Sequence, residues 1–574
     1  MTGVHRLTPP DITALAPASP ALAGLGAARL SRHLLQIRAL ADQVGARAAE
    51  DGELAGFAGS LAALATMQRS AEDEIAGLLG APDTGAWSAW CLRRLLGAVS
   101  DEVRFPLDLA HLGALALTAA VVTGIAAEVV VPIRDGWLVL PSLGRLRVDP
   151  PATWRLATAR RDGTGLTVDR PGGGIHLRVD GGRPGGAGWE PMHRLRLDAE
   201  RPAGLLIDDI TPYRRLYGYP PGDRLRPAEL ERWRELIDGA WKRLCRDHPP
   251  WAAAFGQVIS VLAPLAPRGP VVGVSATARD GVGAIALTPP ADSRALALTF
   301  VHELQHNYVN ALHNVSPLFR DGTTDRLYSP WRDDPRPLAG VLHGTAAFLG
   351  VADFWRREPA GPDRLAELEY ALTVIQVRTG HRTLTASPGG LTAAGRSLTG
   401  SIGATLAGMD VRPVGAVIRR LARDLAREHR AAWRIAHEPP AAPEVLALLD
   451  GGTPVAAPAA PRAGEPDQPA VPSRLRRLAE RWLALPGGPG IAAAARPQDV
   501  PMDVATLAGD YRAAARGYAR RLVHEPDDLR SLTGLLVSAR HTPSPPPAPE
   551  VLALALRSAD ERGRAAILAR WTTG

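Results

Sequence analysis

Two residue types are nearly missing from this chain, and each absence removes a class of function. Cysteine occurs twice in 574 residues, at Cys91 and Cys245, too few for a disulfide framework or a thiolate metal site, so two buried reduced thiols are expected. Lysine occurs once, at Lys242, among 66 basic residues. The formal charge of +7 is therefore carried by arginines scattered along the chain. With Ala, Gly and Pro abundant, this reads as a genome-wide codon bias. No basic stripe interleaved with aromatics, which make up only 5% of residues, marks a nucleic-acid partner. A long apolar run is lacking too. The start, Met1-Thr2-Gly3-Val4-His5-Arg6, has no apolar core followed by a small-residue cleavage site, so cytoplasmic residence is expected, with no membrane partner. The most apolar stretch, Leu112 to Val131, contains Glu128 and two glycines and reads as a buried helix leading into a strand.

What is present suits a large α+β protein that is predominantly helical. A hydrophobic share of 46% fills ordinary cores, and the length exceeds the roughly 250 to 300 residues that one core supports. Residues 1–128, with apolar positions three and four apart such as Leu30, Leu34, Leu35 and Ile37, predict a helical N-terminal domain. Residues 129–437 predict a metal-binding catalytic domain. It begins with a small antiparallel sheet region, whose β-type runs Trp137 to Leu140, Arg145 to Val148 and Ile175 to Val179 are separated by glycine turns. Helical periodicity returns from Pro227 to Leu262, and Val271 to Ala276 and Gly283 to Leu287 read as strands. A helix at Arg294 to Leu312 follows, capped by Asp292, then helices at Pro337 to Arg357, Arg364 to Arg378 and Pro413 to Ala436. Residues 438–472 form a Pro/Ala-rich linker, and 473–574 a helical C-terminal region with segments at Leu475 to Leu485, Val504 to Val523, Leu529 to Arg540 and a final short helix.

The chemistry lies in His302-Glu303-Leu304-Gln305-His306. Histidines four apart on a helix project from one face a turn apart, so both imidazoles reach one metal ion. Glu303 then serves as a general base toward a metal-bound water or orients it. The preceding run Ala295 to Val301 is apolar, and histidines in a buried helix need partners, which favours ligation over two locally bonded side chains.

A third ligand has several candidates. His313 lies nearly two turns from His306 on the same helix, too far to close one site. Val309 and Leu312 are not the glycine and histidine that a metzincin continuation needs. His343, on the second apolar helix and followed by the small residues Gly344 and Thr345, is preferred over the acidic alternatives Asp353 and Glu358. Between the two helices, the loop Tyr328 to Pro337 carries Arg332 and Arg336. These two can clamp a carboxylate or pair with the neighbouring Asp333 and Asp334. Asp208-Asp209-Ile210-Thr211 reads as a turn, and Gly281-Val282-Gly283 is too short for a nucleotide loop.

Taken together, Phe300 to His306, the loop Pro330 to Pro337 and the helix Leu342 to Phe348 resemble the HExxH-type peptide β-hydroxylases. Members of that family accompany or are fused to radical SAM maturases of ribosomally made peptides. The resemblance is strongest over Val271 to Arg357. It implies an iron(II) and 2-oxoglutarate dependent oxygenase that hydroxylates the β-carbon of a residue in a precursor peptide. It also implies His302, His306 and His343 as metal ligands and Glu303 as a supporting residue. The placing of 2-oxoglutarate at Arg332 and Arg336 is inferred from the loop chemistry. The chain lacks a Cys-x-x-x-Cys-x-x-Cys motif, so a radical SAM partner would be a separate protein. The alternatives are a zinc metallopeptidase, with Glu303 activating water and Tyr328 stabilising the oxyanion, and a non-catalytic module that binds a peptide or maturase.

Overall fold

The structure, a computed structural model, describes residues 5–45, 55–197, 204–267, 273–320, 322, 326–358, 363–411, 413–449, 473–485, 490–496, 500–541 and 546–572. It is α+β and predominantly helical, as expected. The chain forms two compact units, Met1–Pro317 and Leu318–Gly574.

The N-terminal unit opens with helices α1 (Leu22–Gly45), α2 (Ala55–Gln68), α3 (Glu72–Leu79), α4 (Pro82–Leu95), α5 (Phe105–Leu109) and α6 (His111–Thr123). Strands β1 (Ala127–Ile133), β2 (Trp137–Leu140), β3 (Gly144–Arg147), β4 (Arg155–Asp162), β5 (Gly165–Val168), β6 (Ile175–Asp180), β7 (Arg183–Gly185) and β8 (Trp189–Pro191) follow. They build two antiparallel sheets, ordered β1-β4-β5-β6-β7 and β2-β3-β8. The helices and these strands share one core, which runs from Ile37 and Leu40 through Leu112 and Leu115 to Val131, Leu166 and Leu177. Among the described residues, this core runs on past residue 128 into the strands. Close contact between α6 and β1 explains why: a Cβ at Gly113 would lie 1.8 Å from the Val130 carbonyl oxygen, so only glycine lets the helix touch the strand backbone. The expected buried helix leading into a strand is α6 followed by β1, separated by Gly124 in the left-handed conformation at φ 74°.

A third sheet lies against the helix that bears the His302 to His306 motif. Its strands β9 (His193–Leu195), β10 (Leu205–Ile207), β11 (Val261–Pro264), β12 (Ser275–Ala276) and β13 (Ala284–Leu287) are ordered β12-β13-β11-β10-β9. The β10, β11 and β13 strands are parallel, and an antiparallel strand stands at each edge. Helices α7 (Pro227–Asp247) and α8 (Pro249–Val258) connect β10 to β11, the crossover that parallel pairing requires. The buried stripe of α7, Leu230, Trp233, Ile237, Ala240, Trp241 and Leu244, recurs every three or four residues, and α7 and α8 both pack on α9 (Ser293–Val315). Asp292 caps α9 as expected, accepting from the Ala295 amide at 2.8 Å.

The C-terminal unit is a helical array led by α10 (Leu338–Arg357), α11 (Arg364–Ala386), α12 (Ala393–Ala407) and α13 (Ala416–His437), with seven further α-helices between Ala442 and Ala569 among the described residues. The helix expected over Val504 to Val523 is two helices, Pro501–Ala508 and Tyr511–His524. Gly509 at φ 88° ends the first and the Asp510 carboxylate caps the second. Most of the expected 438–472 linker, from 450 on, lies outside the described residues. Two helical segments, Phe105–Thr123 and Leu338–Arg357, are long and apolar enough to cross a membrane by composition, and 78% and 72% of their apolar windows are buried inside the protein. Cys91 is buried, but Cys245 is exposed, contrary to expectation, and the two do not form a disulfide.

Burial pushes the Glu428 carboxyl on α13 up to about 7, opposed by a 2.6 Å hydrogen bond from the Ser473 hydroxyl. A raised folded pKa means that the native state binds the proton more tightly than the unfolded chain. The stabilisation is complete below about 4.5 and lost as pH rises through about 7. Glu428→Gln is therefore expected to flatten the fall in urea-unfolding stability between pH 5 and pH 8. At ~1.4 kcal/mol for each tenfold difference in proton affinity, the effect amounts to at most about 3 kcal/mol. An unchanged pH slope would contradict it.

Candidate metal centre

Because α9 is buried on most sides, its polar residues need partners, and these partners set the helix's position. Gln305 is fully buried; its Oε1 accepts from the Ala16 amide at 2.8 Å and its Nε2 donates to the Ala14 carbonyl at 2.9 Å. Asn307 accepts from the Gly283 amide at 2.7 Å and donates to the Ala284 carbonyl at 3.2 Å. Tyr308 donates to the Thr13 carbonyl at 3.2 Å. The helix is thus tied to the N-terminal segment by one face and to the start of β13 by another. The Phe300 ring, 4.6 Å from Phe255, packs it on α8.

These ties leave His302, Glu303 and His306 together, each with a ligand atom within 4.8 Å of the others. The two Nε2 atoms lie 3.2 Å apart. With metal–nitrogen bonds of about 2.1 Å, that separation subtends roughly 100° at an ion, between the tetrahedral and octahedral angles. Burial lowers the His302 pKa to about 4, and burial together with the neighbouring His302 holds that of His306 well below the usual imidazole value, so both rings are neutral near pH 7, as ligands must be. His302 still keeps 24% of its side-chain surface, so the surrounded ring remains open on one side.

Glu303 is nearly enclosed. Its Oε1 accepts from the Ser275 hydroxyl on β12 at 2.7 Å and lies 3.9 Å from His302 Nε2. Burial raises its pKa to about 7 against the Ser275 and Thr277 hydroxyls, which lower it. Its Oε2 is buried with no hydrogen-bond partner, and burying an unpaired carboxylate oxygen is costly unless a cation or proton offsets it. Two convergent neutral imidazoles beside that carboxylate fit a divalent cation. Ser275 and Thr277, absent from the expected site residues, stand two apart, the spacing that puts both side chains on one face of a strand. That alternation is the one signal the sequence carries for them.

The other residues weighed for the site, His313 apart, belong to the C-terminal unit. His343 is on α10, with its ring 6.3 Å from Phe319. The adjacent Gly344 makes room for an indole, since a Cβ there would lie 2.2 Å from Trp331 Nε1. The loop ahead of α10 is closed by reciprocal backbone bonds between Leu327 and Arg336, 2.8 and 2.9 Å. Within it, Arg332 and Arg336 both bind the Asp334 carboxylate, at 3.0 and 3.2 Å, the pairing weighed above against an anion clamp. Tyr328 is bonded at 2.8 Å to His429 Nδ1. Asp353 is held by Arg356 and Arg357 on its own helix, each at 2.6 Å, and His313 is buried in the last turn of α9.

Loading the purified protein with Fe(II) or Zn(II) and counting metal by mass spectrometry is expected to find about one ion per chain. His302→Ala and His306→Ala should each retain less than a tenth of it while keeping the far-ultraviolet circular dichroism of the parent. Full occupancy in either variant would show that the ion sits elsewhere.

No family model matches the chain, and no curated protein matches it.

Proposed function

We propose that the chain is a metal-dependent enzyme acting on a peptide, and within that class an iron(II) and 2-oxoglutarate dependent β-hydroxylase of a ribosomally made precursor peptide. The observation that carries the metal-dependent reading is the pair of imidazoles converging with their Nε2 atoms 3.2 Å apart. An iron(II) ion there would supply the oxidising chemistry, with O2 and 2-oxoglutarate consumed, one peptide C–H converted to C–OH, and succinate and CO2 released.

This chain's own residues do the rest. His302 and His306 hold the ion, and the buried wall of α9 keeps water from most of its surroundings. Glu303, engaged by Ser275, orients what binds the ion. The peptide reading is supported by β12. The strand β13 that leads into α9 is paired on both sides, and the edge of the sheet is β12. An extended peptide added along β12 would lie beside Ser275 and hence beside Glu303. Arg332 and Arg336 are the proposed hold on the 2-oxoglutarate carboxylate and His343 the proposed third ligand. Any radical SAM partner would act as a separate chain.

A second reading, a zinc metallopeptidase, is favoured by one observation: a Glu303 carboxylate close to both imidazoles and raised to about 7 is suited to take a proton from water. Anaerobic loading with Fe(II), followed by 2-oxoglutarate, O2 and a candidate peptide, separates the two. The expected outcome is succinate and a peptide heavier by one oxygen in equal amounts, with iron lost in His343→Ala. Zinc-dependent cleavage without succinate would establish the hydrolase instead.

A further inference from the structure

The C-terminal unit contains a second feature with chemistry of its own, a solvent-open cavity of about 470 Å³ between α11 and α12, within the roughly 300–1,000 Å³ of small-molecule sites. One wall is a single face of α11. Ile375, Arg378 and the adjacent His381 and Arg382 recur at helical spacing along it. The opposite wall is the Gly403, Leu406 and Ala407 face of α12.

The charges on the first wall are held differently from the carboxylate-paired arginines of this unit. Arg356, Arg357, Arg427, Arg476 and Arg530 are all paired with carboxylates. Arg378 and Arg382 are anchored to neutral oxygens, the Met409 carbonyl at 3.0 Å and the Thr379 hydroxyl at 3.2 Å. Among the described residues, no acidic side chain lines the cavity. Each guanidinium retains further N–H donors, since one anchoring bond uses one of five. The site is also shaped by its backbone. His381 Nε2 bonds the Thr399 carbonyl at 3.1 Å, and a Cβ at Gly403 would lie 2.8 Å from that nitrogen, so the glycine admits the imidazole between the helices. Ile375, Leu406 and Ala407 supply the apolar surface.

We propose that this cavity binds a small oxyanion, carboxylate or phosphate, that carries an apolar group. Arg378 and Arg382 take the oxyanion, and Ile375, Leu406 and Ala407 cover the apolar group. Two cations with no carboxylate in the lining, beside an apolar wall, discriminate by both features at once. This binding does not depend on the metal centre or its reaction.

Titration calorimetry of the full chain with octanoate and with octyl phosphate tests it, with acetate, inorganic phosphate and octanol as single-feature controls. Saturable binding of at least one octyl anion is expected, at least tenfold tighter than any control and weakened by raising the salt from 50 to 500 mM. Octanoate alone would identify a carboxylate site, and octyl phosphate alone a phosphate site. The double variant Arg378→Gln/Arg382→Gln and the rim variant Ala407→Phe, both altering exposed positions, should each lose at least tenfold in affinity with an unchanged melting temperature. Absence of binding at millimolar ligand, equal affinity for octanol, or undiminished affinity in both variants would overturn the proposal.

Discussion

A helix bearing three histidines, a glutamate, a glutamine and three asparagines can be buried only if its polar atoms are answered, and in the N-terminal unit that requirement governs α9. Asn307 spends its amide on the backbone at the start of β13, and Gln305 on the Ala14 to Ala16 segment. Each bond is worth only about 1 kcal/mol net, but leaving such a group buried and unpaired costs more. The bonds therefore act as a register lock: rotating α9 by one residue would orphan several groups at once. The rotation that satisfies them is also the one that sets Glu303, beside the histidine pair, against Ser275 of β12.

Glu303 carries the same logic to the sheet edge. Its hydrogen bond with Ser275 joins the motif helix to β12, 28 residues earlier, so the carboxylate and the strand edge are placed by one contact. A short, two-residue antiparallel strand at the margin of a partly parallel sheet is weakly held by its own ladder. The side-chain bond to a rigid helix compensates.

Local signals made much of this legible. Helical periodicity and the Asp292 cap mark α9 within a few residues of its ends, and β13 matches the expected Gly283 to Leu287 strand closely. Periodicity stops at what residues do over long separations. The sheet β12-β13-β11-β10-β9 draws its strands from between His193 and Leu287, and no short window records which of them pair. The shared core of α6 and β1 depends on glycine at 113 meeting the Val130 carbonyl, which reads locally as a helix weakness. Helix α12 escaped for a similar reason: Gly395, Gly400 and Gly403 dilute its apolar stripe, although Gly395 and Gly403 are small because neighbours press on them. At the candidate site the histidine pair was legible from spacing. Ser275 was not, because alternation with Thr277 marks at most a shared strand face and says nothing of the carboxylate that it meets.

The arginine excess shows how a sequence bias becomes a structural resource. A guanidinium offers five donors in a planar fork and remains charged when buried, which an ammonium does less well. Arg134 accordingly reaches the Leu107 carbonyl, the Asp108 carboxylate and the Tyr213 hydroxyl from one nitrogen in the core. Arg214 and Arg419 tie down backbone carbonyls, and Arg332 and Arg336 share Asp334 across a loop. Charge spent in this way builds the interior of the fold, so a net charge of +7 coexists with the absence of a nucleic-acid motif. An arginine anchored to a neutral oxygen, as Arg378 and Arg382 are, keeps further donors for an anion from outside the fold.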